Sequence, residues 1–158
     1  MQLETKIIDA RLHDYLPQYA TPEAAAIDLR ACSRDGAQFL SPKTIYPGER
    51  VKVGTGIAVD VGSHDIGWHI AAMLLPRSGL GSRGITLGNA PGLIDADYQG
   101  EITLAIWNSG EHEYVMQPLD RLAQLVFVPI VRPSLKVVSE FSRTTERGAG
   151  GFGSTGAA

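Results

Sequence analysis

Eighteen glycines and nine prolines interrupt this 158-residue chain so often that few windows could hold a long helix. The segments between them read as strands. From Val51 to Val59 the apolar side chains Val51, Val53, Ile57 and Val59 share one parity, which predicts a half-buried strand. Ile102, Leu104 and Ile106 repeat the pattern. Trp68 to Leu75 and Leu122 to Val128 are nearly continuous apolar runs, suited to strands buried on both faces, although periodicity alone would also fit a buried helix. Turns are expected at Pro47-Gly48, Pro91-Gly92, Ser109-Gly110 and across Asp95 to Gly100. Many short strands with regular turns predict an all-β sandwich or barrel rather than a βαβ fold. No internal repeat is visible.

The length fits one domain. A formal net charge of −3, with 14 basic residues scattered along the chain, argues against a groove for nucleic acid. Cys32 is the single cysteine and cannot form an intrachain disulfide, and the amino terminus has no apolar signal region. The longest apolar runs are too short to span a bilayer. The expectation is a cytoplasmic protein with neither nucleic-acid nor membrane partners. The four histidines, His13, His64, His69 and His112, lack metal-ligand spacing.

Chemistry concentrates between Pro76 and Glu101. Six glycines there allow main-chain N–H groups to approach a ligand, Arg77 and Ser78 add a charged fork and a hydroxyl, and Asp95 and Asp97 add carboxylates. That mixture suits a phosphate ester. Past Phe141 the chain carries no aliphatic side chain larger than alanine, so a barrel over residues 1–140 and a Gly-rich tail over 141–158 are expected. Gly148, Gly150 and Gly153 spell G-x-G-x-x-G, but the dinucleotide fingerprint needs a following helix and the chain ends five residues later. Nor is there a P-loop lysine. What remains is a run of N–H donors with Arg147, Ser154 and Thr155 that could wrap an anion, and Phe152, which could stack on a base.

Five segments, Ala-Ile-Asp-Leu-Arg-Ala (26 to 31), Pro-Arg-Ser-Gly-Leu-Gly (76 to 81), Gly-Leu-Ile-Asp-Ala-Asp-Tyr-Gln-Gly (92 to 100), Arg-Leu-Ala-Gln-Leu (121 to 125) and Arg-Gly-Ala-Gly-Gly-Phe-Gly-Ser-Thr-Gly (147 to 156), resemble, in order, the five motifs of the trimeric dUTP diphosphatases, or dUTPases. The departures are small: Ala26 stands where glycine is usual, and Ala90-Pro91 replaces a commoner aliphatic pair. The resemblance implies a distorted jelly-roll barrel, a homotrimer, and a carboxyl-terminal tail that closes the site of a neighbouring subunit. It implies hydrolysis of dUTP to dUMP and pyrophosphate with Mg²⁺ on the triphosphate, which removes dUTP and supplies dUMP for thymidylate synthesis.

By the same resemblance Asp95 activates the attacking water. A carboxylate acceptor at hydrogen-bond range can orient one water in line with the scissile bond; the lesser alternative is an aspartate that merely forms a turn. Tyr98 would lie under the deoxyribose and exclude a 2′-hydroxyl. Asn89 and the main chain at Leu93, Ile94 and Thr103 resemble a uracil-reading hairpin, in which fixed donors and acceptors leave cytosine unpaired. Arg77, Ser78, Gly79 and Gln124 resemble phosphate contacts, with Arg147, Gly153 and Ser154 from the tail and Phe152 capping the base. Asp28 is implied to touch the metal indirectly, through water, or to hold the site's architecture. Arg121 could contact phosphate or an interface carboxylate, and the resemblance gives Asp97 no role as base.

The dCTP deaminases share the barrel, but their strand after the hairpin carries a catalytic glutamate where this chain has Ala105. A non-catalytic nucleotide sensor on the same scaffold would not need Asp95 or Tyr98, and both are present.

Overall fold

A computed structural model describes residues 2–34, 37–62 and 69–151. Its strands in chain order are β1 (Thr5–Ile7), β2 (Ile27–Arg30), β3 (Ser33–Arg34), β4 (Ala37–Gln38), β5 (Lys43–Ile45), β6 (Arg50–Gly54), β7 (Ile57–Val59), β8 (His69–Pro76), β9 (Ile85–Leu87), β10 (Gly92–Ile94), β11 (Thr103–Asn108), β12 (Tyr114–Met116) and β13 (Arg121–Ile130). A single helical turn, α1, spans Ser78–Gly81, and a 3₁₀ turn spans Ala10–Asp14.

The strands form a four-stranded sheet, β10-β8-β13-β2, a five-stranded one, β4-β3-β6-β11-β9, and the pairs β1-β7 and β12-β5, whose buried side chains join in one core. All the pairings are antiparallel. This is the all-β class that the punctuation predicts and the jelly-roll that the resemblance implies. β8 and β13 pair from Ala123 with Pro76 to Ile130 with His69 and form the middle of their sheet, which is why both sequences read as unbroken apolar runs. Trp68 lies outside the described residues.

β11 shows the clean alternation: Leu104, Ile106 and Asn108 point inward, where Leu104 and Ile106 pack with Val53, Ile45, Met116 and Leu125. Asn108 is fully buried yet satisfied. Its Nδ2 donates to the carbonyls of Ile45 (2.9 Å) and His112 (2.8 Å), and its Oδ1 accepts from Gly110 N (3.0 Å). The amide therefore fastens the chain after β11 to β5.

Two sequence expectations need correction. Val51 to Val59 is two strands, because the chain turns at Thr55-Gly56. Gly56 has φ +70°, a left-handed conformation that favours glycine, and a Cβ there would stand 2.8 Å from that of Asp9. Its carbonyl accepts the N–H groups of Ile8 (2.7 Å) and Asp9 (3.2 Å), so the same polypeptide leaves the five-stranded sheet and pairs with β1. Second, the turn marked by Pro91-Gly92 sits slightly earlier, over residues 88–91, where Ala90 N–H meets the Leu87 carbonyl at 3.3 Å, and Gly92 already opens β10 opposite Leu74. Strand pairing ends at Ile130, after which residues 131–149 are exposed and in no strand.

Candidate active site

Between β8 and β11 the chain makes α1, β9, β10 and a turn, and these carry most of the chemically distinctive residues. β10 is an edge strand on β8, and the main-chain bond from Tyr98 N to Asp95 O (3.1 Å) closes the turn that follows it. The Tyr98 hydroxyl in turn donates to the Glu101 carbonyl at 2.9 Å. Leu93, Ile94, Asp95, Tyr98 and Thr103 consequently surround one pocket of about 180 Å³. Asn89 approaches from the β9–β10 turn, its Nδ2 lying against Gly92. Asp95 also borders a larger, open cavity of about 670 Å³ with Asp60, Asp97, Gln99 and Arg132.

The two motif aspartates have opposite surroundings. Asp28, on β2, is held on both oxygens: Oδ1 by Arg77 Nε at 2.8 Å and Oδ2 by Arg121 Nη1 at 3.0 Å. Asp95 is exposed, and among the described residues its carboxylate has no hydrogen-bond or ion-pair partner. An acceptor left free at the rim of a pocket can bind and orient water; one clamped by two guanidinium groups mainly aligns those groups. Asp97 is likewise exposed; it lines the larger cavity but not the Tyr98 pocket.

A second cluster forms where β8 ends. Arg77 is the N-cap of α1, and the N–H groups of the first helical turn, including those of Ser78 and Gly79, have no intrahelical acceptor. Arg77 Nη1 also donates to the Arg121 carbonyl at 3.0 Å, and Gln124 Nε2 donates to the Pro76 carbonyl at 2.9 Å. Arg77 and Arg121 border a 530 Å³ hollow with Arg83, Glu113 and Asp120. The cavities bordered by Asp95 do not include Arg77, and this hollow does not include Asp95.

Arg147 lies on the exposed tail, where its Nε meets the Gly150 carbonyl at 3.0 Å. Phe152, Gly153 and Ser154 fall outside the described residues. Among the described residues no three His, Cys, Asp or Glu side chains are grouped to hold a metal ion, and no helix is long and apolar enough to cross a membrane. Sequence reasoning assigned nothing to Asp60, Gln99, Arg83 or Glu101. Asp60 lies at the end of β7 and meets Gln99 Nε2 at 3.3 Å only through the fold, so no local pattern marks it.

A family model described as dUTPase matches residues 14–156. This chain belongs to the dUTPase family. Deoxyuridine 5′-triphosphate nucleotidohydrolases of Paraburkholderia xenovorans and Burkholderia thailandensis are 53% and 51% identical to it over 157 residues, covering 99% of each chain. Among solved structures, the dUTPase of Staphylococcus bacteriophage 80alpha with dUPNHPP is 26% identical, covers 99% of both chains and superposes with a TM-score of 0.80. A dUTPase variant from phage phi11 of S. aureus, whose structure describes the coordination of a structural Mg(II) ion, shares the fold at 23% identity and a TM-score of 0.70.

Proposed function

We propose that this dUTPase-family chain hydrolyses dUTP to dUMP and pyrophosphate, with Asp95 orienting the attacking water. The observation that carries the proposal is the unpartnered Asp95 carboxylate at the rim of the pocket formed by Leu93, Ile94, Tyr98 and Thr103. Uracil sits against the main chain of β10 and Thr103, where fixed peptide groups match its edge, with Asn89 closing the hairpin side. The Tyr98 ring lies beneath the deoxyribose. Asp95 accepts a proton from the water as its oxygen attacks the α-phosphorus in line. The bond from that phosphorus to the α–β bridging oxygen breaks, its electron pair leaves with pyrophosphate, and dUMP retains the new oxygen.

Arg77, Gln124 and the free N–H groups at Ser78 and Gly79 supply the donors that a triphosphate needs. The family uses Mg²⁺. The residues present fit a cation carried by the substrate's phosphates rather than caged by the protein, because Asp28 is engaged by two arginines and keeps acceptor capacity only for a metal-bound water. Bound there, the ion would neutralise phosphate charge and hold the chain of phosphates in one conformation.

The phosphate-binding cluster and Asp95 border different cavities of one chain, which supports a site completed between subunits of a homotrimer. The exposed apolar side chains Val131, Leu135, Val137 and Phe141 after β13 also call for a covering partner. The tail, with Arg147, Phe152, Gly153 and Ser154, then closes a neighbour's site. Pyrophosphate release measured across the four deoxynucleoside triphosphates, dUTP and UTP tests the proposal. Turnover confined to dUTP is expected; equal turnover of dCTP or UTP, or none of dUTP, would overturn it.

A further inference from the structure

We infer that Glu101 is a positioning residue that fixes the Tyr98 ring against the barrel and thereby sets the discrimination between deoxyribose and ribose. The inference rests on the proposed placement of Tyr98 under the sugar.

Glu101 is half-buried between the hairpin and β11 and belongs to no strand. It bonds in two directions. Its main-chain oxygen accepts the Tyr98 hydroxyl at 2.9 Å and, more weakly, Thr103 Oγ1 at 3.4 Å. Its carboxylate reaches back into the barrel, where Oε1 accepts Gly56 N–H at 2.8 Å and Ser33 Oγ at 3.3 Å.

Space for this arrangement is built from glycine on both sides. A Cβ at Gly54 would collide with Glu101 Oε1 and Ser33 Oγ, and a Cβ at Gly100 would stand 2.6 Å from the Tyr98 hydroxyl oxygen and 2.7 Å from Cζ. Gly54 therefore admits the carboxylate, and Gly100 admits the ring. The neighbouring Ile102 is held as well: its carbonyl accepts both Thr55 N (3.0 Å) and Thr55 Oγ1 (2.8 Å), and its N–H donates to the Ile57 carbonyl (2.9 Å). The Glu101 carbonyl shares its peptide unit with that Ile102 N–H, so the acceptor for Tyr98 is anchored on both sides, through Ile102 to Ile57 and through the Glu101 carboxylate to Gly56 and Ser33. Without that carboxylate the N–H of buried Gly56 would lose its acceptor, so removing it frees the Gly56 turn and one of the two anchors of the ring acceptor together.

A ring held at fixed height rejects a 2′-hydroxyl by steric contact; a ring free to drop accommodates it. Steric discrimination against one added hydroxyl is of limited size, so modest loosening is measurable. The test compares kcat/KM for dUTP and UTP, together with thermal stability, in Glu101→Ala, Glu101→Asp and Glu101→Gln. Alanine removes the carboxylate that accepts Gly56 N–H, and aspartate withdraws it by one methylene while keeping the charge. Glutamine retains an oxygen at the same reach.

The dUTP-to-UTP preference is expected to fall by about tenfold in the alanine and aspartate variants and to stay within about twofold of the parent in glutamine. The loss should appear mainly in KM. If the alanine and aspartate variants fold and keep the parent preference, or lose turnover of both nucleotides in equal proportion, Glu101 is only a stability element and the inference is overturned. Tyr98→Ala serves as the control on the underlying placement. If removing the ring leaves the preference unmoved, the placement of Tyr98 itself is wrong. If it changes the preference while the Glu101 variants do not, the failure belongs to Glu101 alone.

Discussion

Arg77 reaches Asp28 through Nε at 2.8 Å, so the second motif is pinned to the first across the strands that carry them. Arg121 closes on the other oxygen of the same carboxylate at 3.0 Å. Two guanidinium groups are thus held side by side by one negative charge. All three side chains keep a quarter or more of their surface, and ion pairs this exposed add little to stability. Asp28→Asn should accordingly change the unfolding free energy by no more than about 1 kcal/mol. The arginines, no longer neutralised, should splay, raising KM for dUTP by roughly tenfold with a smaller effect on kcat. Steady-state kinetics beside a urea titration checks both halves; a large stability loss with unchanged KM would show that the clamp serves the fold alone.

Asp95 and Asp97 stand two positions apart, and both are exposed, yet only Asp95 borders the Tyr98 pocket. Asp95→Asn should leave folding and dUTP binding nearly intact while kcat falls by at least about a hundredfold, because the lost interaction orients the nucleophile only during the reaction. Asp97→Asn should cost less than about threefold. Single-turnover measurements on the two variants separate binding from chemistry. Near-normal turnover by Asp95→Asn would end its assignment as the base.

Local pattern reported the fold well where a strand's burial is set by its own residues. β8, β11 and β13 were visible because sheet centre and barrel face impose apolar runs and strict alternation on their sequences. The division of Val51 to Val59 was not visible. Its cause is the positive φ of Gly56 and the docking of β1, and the latter is a contact between residues some fifty positions apart. The site followed the same rule. Leu93, Ile94, Asp95, Tyr98 and Thr103 come together because they lie within one hairpin, so contiguous motif residues marked the pocket. The clamping of Asp28 by Arg77 and Arg121, and the double use of Glu101, depend on pairing across the barrel and leave no trace in spacing.

Asp9 is the buried charge on which the amino-terminal turn depends. Its carboxylate accepts from Arg11 N (3.0 Å), Nε (3.0 Å) and Nη2 (2.6 Å), while Arg11 donates onward to the carbonyls of Phe39 (2.8 Å) and Cys32 (2.6 Å). The Arg11 hydrogen bonds hold the Asp9 carboxyl below the usual aspartate range. A carboxylate with a depressed native pKa binds fewer protons folded than unfolded. Its stabilisation is therefore complete above the ordinary aspartate value of about 4 and is lost as pH falls through the lower native value. Asp9→Asn should destabilise the protein by about 2 to 3 kcal/mol at pH 7, with the gap from the parent narrowing below about pH 4. Thermal unfolding across that range gives the answer; parallel curves for the two proteins would show that Asp9 contributes nothing through its charge.

Residues 147–158 contain no aliphatic side chain larger than alanine. Arg147, the first of them, donates through Nε to the Gly150 carbonyl of its own turn, and its own carbonyl accepts Gly150 N–H. Removing this segment should leave thermal stability and oligomeric state almost unchanged, because it takes away no aliphatic side chain larger than alanine. It also takes away Arg147, Phe152, two hydroxyls and a row of N–H donors that can shield a triphosphate from bulk water. Activity should fall by at least about a hundredfold. Co-refolding the truncated chain with Asp95→Asn then separates two arrangements of the tail. If each tail closes a neighbour's site, a mixed trimer pairs an intact Asp95 on one chain with an intact tail from another, and part of the turnover returns. A truncated protein that hydrolyses dUTP at close to the full-length rate would dismiss the lid. Fatal truncation with no rescue on mixing would place each tail over its own subunit's pocket.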